Sequence, residues 1–117
     1  VIGGGGYADI IDLPLIAAVD TGWWCEFYVV TALGGSDSLK IRINGHADGA
    51  DGFHLILLNN ATSSQSVWTA GSDILTIAAS SPVSTYVRLT NVQGGTAEKW
   101  IAECFQPSGT NIAVGSS

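Results

Sequence analysis

The stretch WWCEFYVV, residues 23–30, decides the fold that the sequence predicts. Successive side chains of a β-strand point to opposite faces of the sheet, so two neighbouring tryptophans cannot share one face. One alternate set is uniformly apolar and is expected to face a core: Trp23, Cys25, Phe27 and Val29. The other set places two aromatic rings around a carboxylate, at Trp24, Glu26 and Tyr28. The stretch therefore predicts a strand with one buried face and one face that needs a partner.

Short strands separated by turn residues make up the rest of the chain. No window carries the 3.6-residue apolar period of an α-helix, and a single turn within residues 15–20 is the only helical element expected. The segment SLKIRING alternates most cleanly, with Leu39, Ile41 and Ile43 on one face. The segment FHLILL is apolar on both faces apart from His54, which predicts a central or doubly covered strand. The predicted strands are residues 7–13, 23–33, 38–45, 53–58, 66–70, 73–80, 84–92 and 99–105.

This spacing predicts an all-β fold, an antiparallel β-sandwich or jelly roll of about eight short strands with essentially no helix. One domain is expected, because 117 residues can build a single modest core. We expect residues 7–106 to form that domain and the Gly-rich residues 1–6 to form a flexible arm. Residues 107–117 have no packing pattern of their own and are expected to be a tail, either disordered or laid on a neighbouring subunit.

Charge is scarce in this chain. Charged residues make up 12% of the sequence, whereas roughly 25% is usual in globular proteins. Ten acidic residues outnumber four basic ones, and the basic residues form no stripe, so binding to nucleic acid or to a membrane surface is not expected. No apolar run reaches the roughly 20 residues that a membrane span needs. Small polar residues and other subunits are expected to cover much of the surface instead.

The sequence predicts neither an enzyme nor a cofactor, because no catalytic constellation stands out. The G-x-S-x-G turn that exposes a nucleophilic serine is missing. Two histidines and two aspartates lie close together in one predicted loop, at His46, Asp48, Asp51 and His54. Their spacing fits neither a calcium loop nor a zinc site, and Asp-Gly pairs favour tight turns. A plain turn is therefore the main interpretation of this loop, and a metal site is the alternative.

Two cysteines, Cys25 and Cys104, fall on the inward-facing parity of two different predicted strands. Two cysteines are too few for a disulfide framework, and they lack the spacing of a zinc site. Buried free thiols are the main expectation, and a disulfide between paired strands is the alternative.

The face that carries Trp24, Glu26 and Tyr28 is the candidate functional surface. Tryptophan and tyrosine are enriched at subunit interfaces. Aromatic rings with a carboxylate among them also form sugar-binding platforms, since rings stack on sugar faces and carboxylates accept hydrogen bonds from hydroxyl groups. For a chain with so few charges we expect a subunit interface. A sugar platform, with Asp48 and Asp51 as further contacts, is the alternative.

A particular order of motifs covers most of the chain. A strand ending in I-x-L-P is followed by a short loop, a glycine and an aromatic-rich strand, at residues 11–14 and 22–30. An amphipathic strand, a Gly-Asp-rich loop, an apolar strand and a final Trp-containing strand follow, at residues 39–45, 46–52, 53–58 and 100–103. This order resembles the small β-sandwich or jelly-roll domains of tailed-bacteriophage virion proteins.

The resemblance implies a structural or receptor-binding viral protein, commonly trimeric, on the virion surface. Domains of this group serve as capsid decoration (cement) proteins, head fibres and tail-fibre modules. The chain has neither sequence repeats nor a shaft, so a capsid decoration protein is expected. It would form a homotrimer, contact the major capsid protein or another virion subunit, and stabilise the shell from the capsid exterior. The alternative is a receptor- or carbohydrate-binding module of a tail or head fibre, with a cell-surface glycan as its ligand.

Overall fold

The computed structural model describes residues 8–35, 37–43, 51–59, 63–65, 68, 71–107 and 112–115. Nine strands and one 3-10 turn lie within these residues. The strands are β1 (Ala8–Asp12), β2 (Trp24–Tyr28), β3 (Ser38–Arg42), β4 (Gly52–Asn59), β5 (Ser63–Gln65), β6 (Ile74–Ile77), β7 (Tyr86–Gln93), β8 (Lys99–Gln106) and β9 (Ile112–Gly115). The 3-10 turn, Ala18–Asp20, lies inside the segment for which the sequence predicts a single turn.

The strands form two sheets that pack face to face, which confirms the predicted all-β sandwich. One sheet has the order β1-β3-β6-β9, and the other has the order β2-β7-β8-β4-β5. Two pairs run parallel, β1 with β3 and β4 with β8, so the sheets are mixed rather than antiparallel throughout. The chain visits the other sheet between the members of each parallel pair, as a parallel pair requires a crossover connection.

Alternation along the strands builds the core between the two sheets. Leu39, Ile41 and Ile43 are all buried, which confirms the inward face predicted for this segment. Trp100 on β8 is the largest fully buried side chain of the described residues. The remaining buried apolar side chains of β4, β6, β7, β8 and β9 are Phe53, Leu55, Leu75, Ile77, Val87, Leu89, Ala102, Cys104 and Ile112.

β4 lies inside the five-stranded sheet, between β8 and β5, so its apolar sequence correctly predicts a central strand. Phe53 and Leu55 point into the core and are buried. The opposite face of the strand is also apolar, but Leu58 there is 50% exposed. β4 is therefore a central strand of its sheet, which is the first of the two predicted alternatives; the second is a strand covered on both faces.

Most predicted strands differ from the structure at their ends, and two predictions differ further. The strand predicted over residues 23–33 spans only Trp24–Tyr28. Ser84, two residues before the partner strand β7, has a φ of 75°, which ends the extended conformation on that side of the pair. The strand predicted over residues 66–70 is not found at Trp68, and the remaining residues of that prediction lie outside the described part of the chain.

The interpretation of residues 107–117 as a tail without packing is wrong for β9. This strand pairs antiparallel with β6 and completes the four-stranded sheet of the same chain. The N–H of Ile112 donates to the buried side-chain carbonyl of Gln106 at 3.1 Å, and the Ile112 side chain is 3% exposed. One buried side chain and one buried amide therefore hold β9 in place, although its sequence lacks the longer apolar alternation by which strands are usually predicted. The predicted arm, residues 1–6, lies outside the described residues.

The connection from β1 to β2 is anchored to the turn between β7 and β8. Ile16 is buried, and its carbonyl accepts the N–H of Gly95 at 2.8 Å. A side chain at Gly94 would collide with the backbone of Ile16, so glycine is required there by close approach. The carboxylate of Glu98 completes the anchor by accepting the N–H of Ile16 at 3.3 Å. This anchor fixes where the chain enters β2.

Candidate functional site: the aromatic face of the five-stranded sheet

β2 presents two different faces, as its alternation predicts. Cys25 and Phe27 point toward the core and are partly buried. Trp24, Glu26 and Tyr28 are exposed on the outer face of the five-stranded sheet, with exposed fractions of 53% for Trp24 and 59% for Tyr28. The structure therefore brings the three predicted site residues together on one surface.

Trp23 fulfils its predicted role in the core only in part. Its ring packs edge-on against Trp100, with ring centroids 5.9 Å apart and an interplanar angle of 85°. The side chain is still 41% exposed. Its N–H bonds to the carbonyl of Asp20 in the preceding turn, while its own carbonyl accepts the N–H of Asn91. Trp23 therefore covers the margin of the core instead of filling its centre.

Glu26 accepts hydrogen bonds from two tyrosine hydroxyl groups, one on its own strand β2 and one on the neighbouring strand β7. The Tyr86 hydroxyl donates to Glu26 Oε1 at 3.0 Å, and the Tyr28 hydroxyl donates to Glu26 Oε2 at 3.3 Å. Tyr28 and Tyr86 are direct cross-strand partners, and their ring centroids lie 4.7 Å apart. Each oxygen of the carboxylate thus accepts one hydrogen bond, and the two rings form a tilted pair beside it.

Arg88 stacks on the second exposed aromatic ring of β2. Its guanidinium carbon lies 4.8 Å from the centroid of the Trp24 ring, within the range of a cation–π contact. Arg88 is also the direct cross-strand partner of Glu26 on one side and of Glu103 on the other. A single cation between two acidic residues therefore offsets part of the negative charge of this surface.

Phe105 and Leu58 extend the apolar part of this surface over β8 and β4. The register places Tyr86 beside Phe105, and Phe105 beside Leu58. Phe105 is 38% exposed and Leu58 is 50% exposed. We call the whole surface the aromatic face; its members are Trp24, Glu26, Tyr28, Leu58, Tyr86, Arg88, Glu103 and Phe105.

Burial and hydrogen bonding change the acidity of the face. Burial, followed by the hydrogen bond to Glu26 and its negative charge, raises the pKa of Tyr86 to about 12. The Tyr86 hydroxyl therefore keeps its proton at neutral pH and acts as a donor to Glu26. The hydrogen bonds hold Glu26, Tyr28 and Tyr86 in position relative to one another.

Sequence reasoning misses Tyr86, Arg88 and Phe105 as members of this surface. Alternation in residues 84–92 places Tyr86 and Arg88 on one face of a strand, which is a local signal. The strand that lies beside β2 is settled by pairing between distant parts of the chain. Local patterns do not determine such pairing, so the partner residues of Glu26 are visible only in the structure.

The candidate loop site is not assembled among the described residues. Asp51 is buried, and its carboxylate accepts the N–H of Glu98 at 2.6 Å, as an anchor within the fold. His54 is half-buried on β4, where it pairs with Ile101 on the outer side of the sheet. His46 and Asp48 lie outside the described residues. Within the described ranges, no three His, Cys, Asp or Glu side chains form a group that could hold a metal ion.

Both cysteines are free thiols, as expected; Cys104 is buried as predicted, whereas Cys25 is only half-buried. Cys25 is on β2 and Cys104 is on β8, so β7 separates them. Burial raises the pKa of Cys25 to about 11. Burial, with a smaller contribution from Glu103, raises the pKa of Cys104 to about 12. Both thiols are therefore protonated near neutral pH and poorly suited to act as nucleophiles.

The helical content of the described residues is too small for a membrane-spanning helix. Comparisons of the chain with models of protein families, with curated proteins and with solved structures found no match. The aromatic face is therefore the feature of the structure from which a function can be proposed.

Proposed function

We propose that this protein is a non-enzymatic structural protein that associates with copies of itself through the aromatic face. One observation carries the proposal: Trp24, Tyr28, Leu58 and Phe105 are each at least 38% exposed on one side of one sheet. Monomeric proteins rarely expose large contiguous apolar surfaces, and such surfaces mark contact sites. The proposal assigns this surface to an interface between subunits.

The chemistry of the face suits a protein contact. Aromatic and arginine side chains carry a large part of the binding energy at interfaces, and both types lie here on a rigid sheet. Tyr28 and Tyr86 are held by Glu26 before any partner arrives, so less side-chain freedom is lost on association. The charged members of the face are Glu26, Arg88 and Glu103, and Arg88 lies between the two carboxylates, so the net charge of the face is −2 + 1 = −1.

The setting that we propose is the surface of a virion. The motif order resembles that of small tailed-bacteriophage virion domains, and a low charge content suits a protein that covers much of its surface with other subunits. In this setting the protein decorates the capsid exterior as a homotrimer, contacts the major capsid protein or another virion subunit, and reinforces the shell. Stable contacts of this kind bury about 2,000 Å² or more.

The carbohydrate-binding alternative has weaker support from the geometry. A sugar platform needs open aromatic faces and free acceptors for hydroxyl groups. Arg88 occupies one side of the Trp24 ring, and both oxygens of Glu26 already accept tyrosine hydroxyl groups. A sugar would have to displace these contacts, whereas an apolar partner surface would leave them in place.

Light scattering after size-exclusion chromatography tests the proposal. We expect the wild-type protein to be oligomeric at micromolar concentration and the double variant Trp24→Ser, Tyr28→Ser to dissociate. Val19→Ser is the matched control, since Val19 is apolar and 90% exposed but lies away from the sheet, in the 3-10 turn. A wild-type monomer that also fails to bind purified capsids would contradict the proposal. Tryptophan emission that changes with added glycans, in a monomer, would favour the carbohydrate alternative.

A further inference from the structure

β2 is an edge strand, and its hydrogen bonds to β7 show which of its backbone groups point away from the sheet. It stands at the end of the five-stranded sheet, and in the described part of the chain only β7 pairs with it. The N–H of Asn91 donates to the carbonyl of Trp23 at 2.8 Å, and the N–H of Val29 donates to the carbonyl of Thr85 at 2.9 Å. Odd-numbered residues of this segment therefore direct their backbone groups toward β7.

The even-numbered residues direct their backbone groups away from β7. In an antiparallel pair, alternate residues make the ladder bonds, and the residues between them point their N–H and C=O groups outward. These residues are Trp24, Glu26 and Tyr28, the same three whose side chains lie on the aromatic face. The open edge thus offers three donors and three acceptors in a row.

The edge lacks the usual protection against pairing with another strand. Natural edge strands are blocked by proline, lysine, bulges or inward-pointing charges. β2 reads WCEFY, and its register against β7 is continuous. Its only charge is Glu26, which lies opposite Arg88 in the same sheet. The sequence of β2 therefore leaves the edge available for a further strand.

We propose that β2 pairs edge to edge, antiparallel, with β2 of a second copy. The two five-stranded sheets then form one continuous ten-stranded sheet across a two-fold axis. This inference rests on the proposed self-association and adds a second contact to the aromatic face, at the edge of the sheet. A two-fold contact uses the same surface on both copies. The assembly is therefore a dimer, or a pair of trimers in which each copy of one trimer contacts a copy of the other.

The side chains of β2 favour a second copy as the occupant of this edge. A register with Glu26 opposite Tyr28 of the copy places each carboxylate beside a tyrosine ring of the other copy. It also keeps the two Glu26 carboxylates from facing each other directly, which would be destabilising. The aromatic faces of both copies then meet at the seam and form one surface. Trp24 and Tyr28 of both copies then lie along the seam, beside the paired backbones.

Amide hydrogen exchange resolved by residue tests the inference on the wild-type protein. In a dilute monomer, the amides of Cys25, Phe27 and Val29 are expected to be protected and those of Glu26 and Tyr28 to exchange fast. On association, the Glu26 and Tyr28 amides should slow by at least about tenfold. Unchanged exchange of these amides in an associated protein would overturn the inference and leave the proposed function standing. So would slow exchange in the monomer, because the edge would then be covered within the chain.

A proline substitution at an outward-pointing amide provides the matching variant. Glu26→Pro removes one free edge donor without removing a bond to β7, a position where proline is tolerated in sheets. Glu26→Ala is its control, since it removes the same side chain and keeps the amide. The dissociation constant should rise by at least about tenfold for Glu26→Pro relative to Glu26→Ala, which corresponds to at least one lost backbone bond and the ring clash. If Glu26→Pro does not fold, by circular dichroism, the exchange measurement decides alone.

The mass of the assembly separates the possible failures. An even-numbered assembly with a proline-sensitive contact supports the inference. A closed trimer with equal dissociation constants for Glu26→Pro and Glu26→Ala overturns it but keeps the proposed function. A monomer at all concentrations that does not bind purified capsids overturns the proposed function itself. If the protein stays monomeric and its β2 amides are protected only after another virion protein is added, a strand of that other protein occupies the edge. This result would overturn the inference that a second copy occupies it.

Discussion

At the scale of single residues, the carboxylate of Glu98 joins two parts of the fold through buried hydrogen bonds. It is fully buried, and its two carboxylate oxygens accept the backbone N–H of Ile16 and the indole N–H of Trp100, the latter at 3.2 Å. It therefore links the β1–β2 connection to the centre of the core. Buried donors that lose their acceptor are costly, because water cannot replace it.

Replacing Glu98 by alanine is expected to lower the free energy of unfolding by about 2 to 6 kcal/mol, because two buried donors lose their acceptor at about 1 to 3 kcal/mol each. Urea unfolding followed by circular dichroism measures the change. Glu103→Ala is the control on the following strand, β8, where the side chain is exposed and a loss below about 1 kcal/mol is expected. Equal losses in the two variants would show that the buried hydrogen bonds of Glu98 contribute no more than a surface charge.

The sequence identifies the single residues of the aromatic face that lie on one strand, and it fails where two strands meet. Alternation alone separates Trp24, Glu26 and Tyr28 from the inner face of β2. It does not show that Arg88 stacks on Trp24, because that contact joins strands that are far apart in the chain. Glu98 is missed for a related reason: it lies in a predicted turn, and nothing local marks a turn carboxylate as buried.

At the scale of strands, β9 shows how little pattern an edge strand needs when its neighbours supply the rest. Its side chains alternate between buried, exposed, half-buried and exposed, and only Ile112 is deeply buried. β3, by contrast, carries a full apolar alternation, and its place in the sandwich can be predicted from sequence. The difference lies in length and composition, since β9 is four residues long and contains alanine and glycine.

Ile112→Ala is expected to destabilise the fold by about 2 to 4 kcal/mol, through lost burial and the cavity that remains. Ala113→Ser is the matched control, because Ala113 is the next residue of the same strand and is exposed, so a change below about 0.5 kcal/mol is expected. Chemical unfolding of the two variants under the same conditions measures both values. If the two variants were equally stable, β9 would not be part of the cooperative fold, and the expectation of an unpacked tail would hold after all.

At the scale of the whole molecule, charge and apolar surface act in opposite directions on self-association. Each copy carries a net charge of −6, so copies repel one another. The aromatic face supplies the attraction, and its three charged members, Glu26, Arg88 and Glu103, carry a net charge of −2 + 1 = −1. Salt screens the repulsion between copies and leaves burial of apolar surface intact or slightly strengthened. The response of assembly to salt therefore reports which of the two contributions dominates.

Raising the salt concentration from about 20 mM to about 500 mM NaCl is expected to strengthen self-association severalfold, because the Debye length falls from roughly 20 Å to roughly 4 Å. Sedimentation velocity at a series of protein concentrations gives the dissociation constant at each salt concentration. A double variant that removes acidic residues outside the aromatic face, Asp20→Asn with Asp73→Asn, should bind more tightly at low salt and lose most of the salt response, since repulsion is its cause. A dissociation constant that rises with salt would instead indicate ion pairs across the interface, and the aromatic face would then not be the principal contact between subunits.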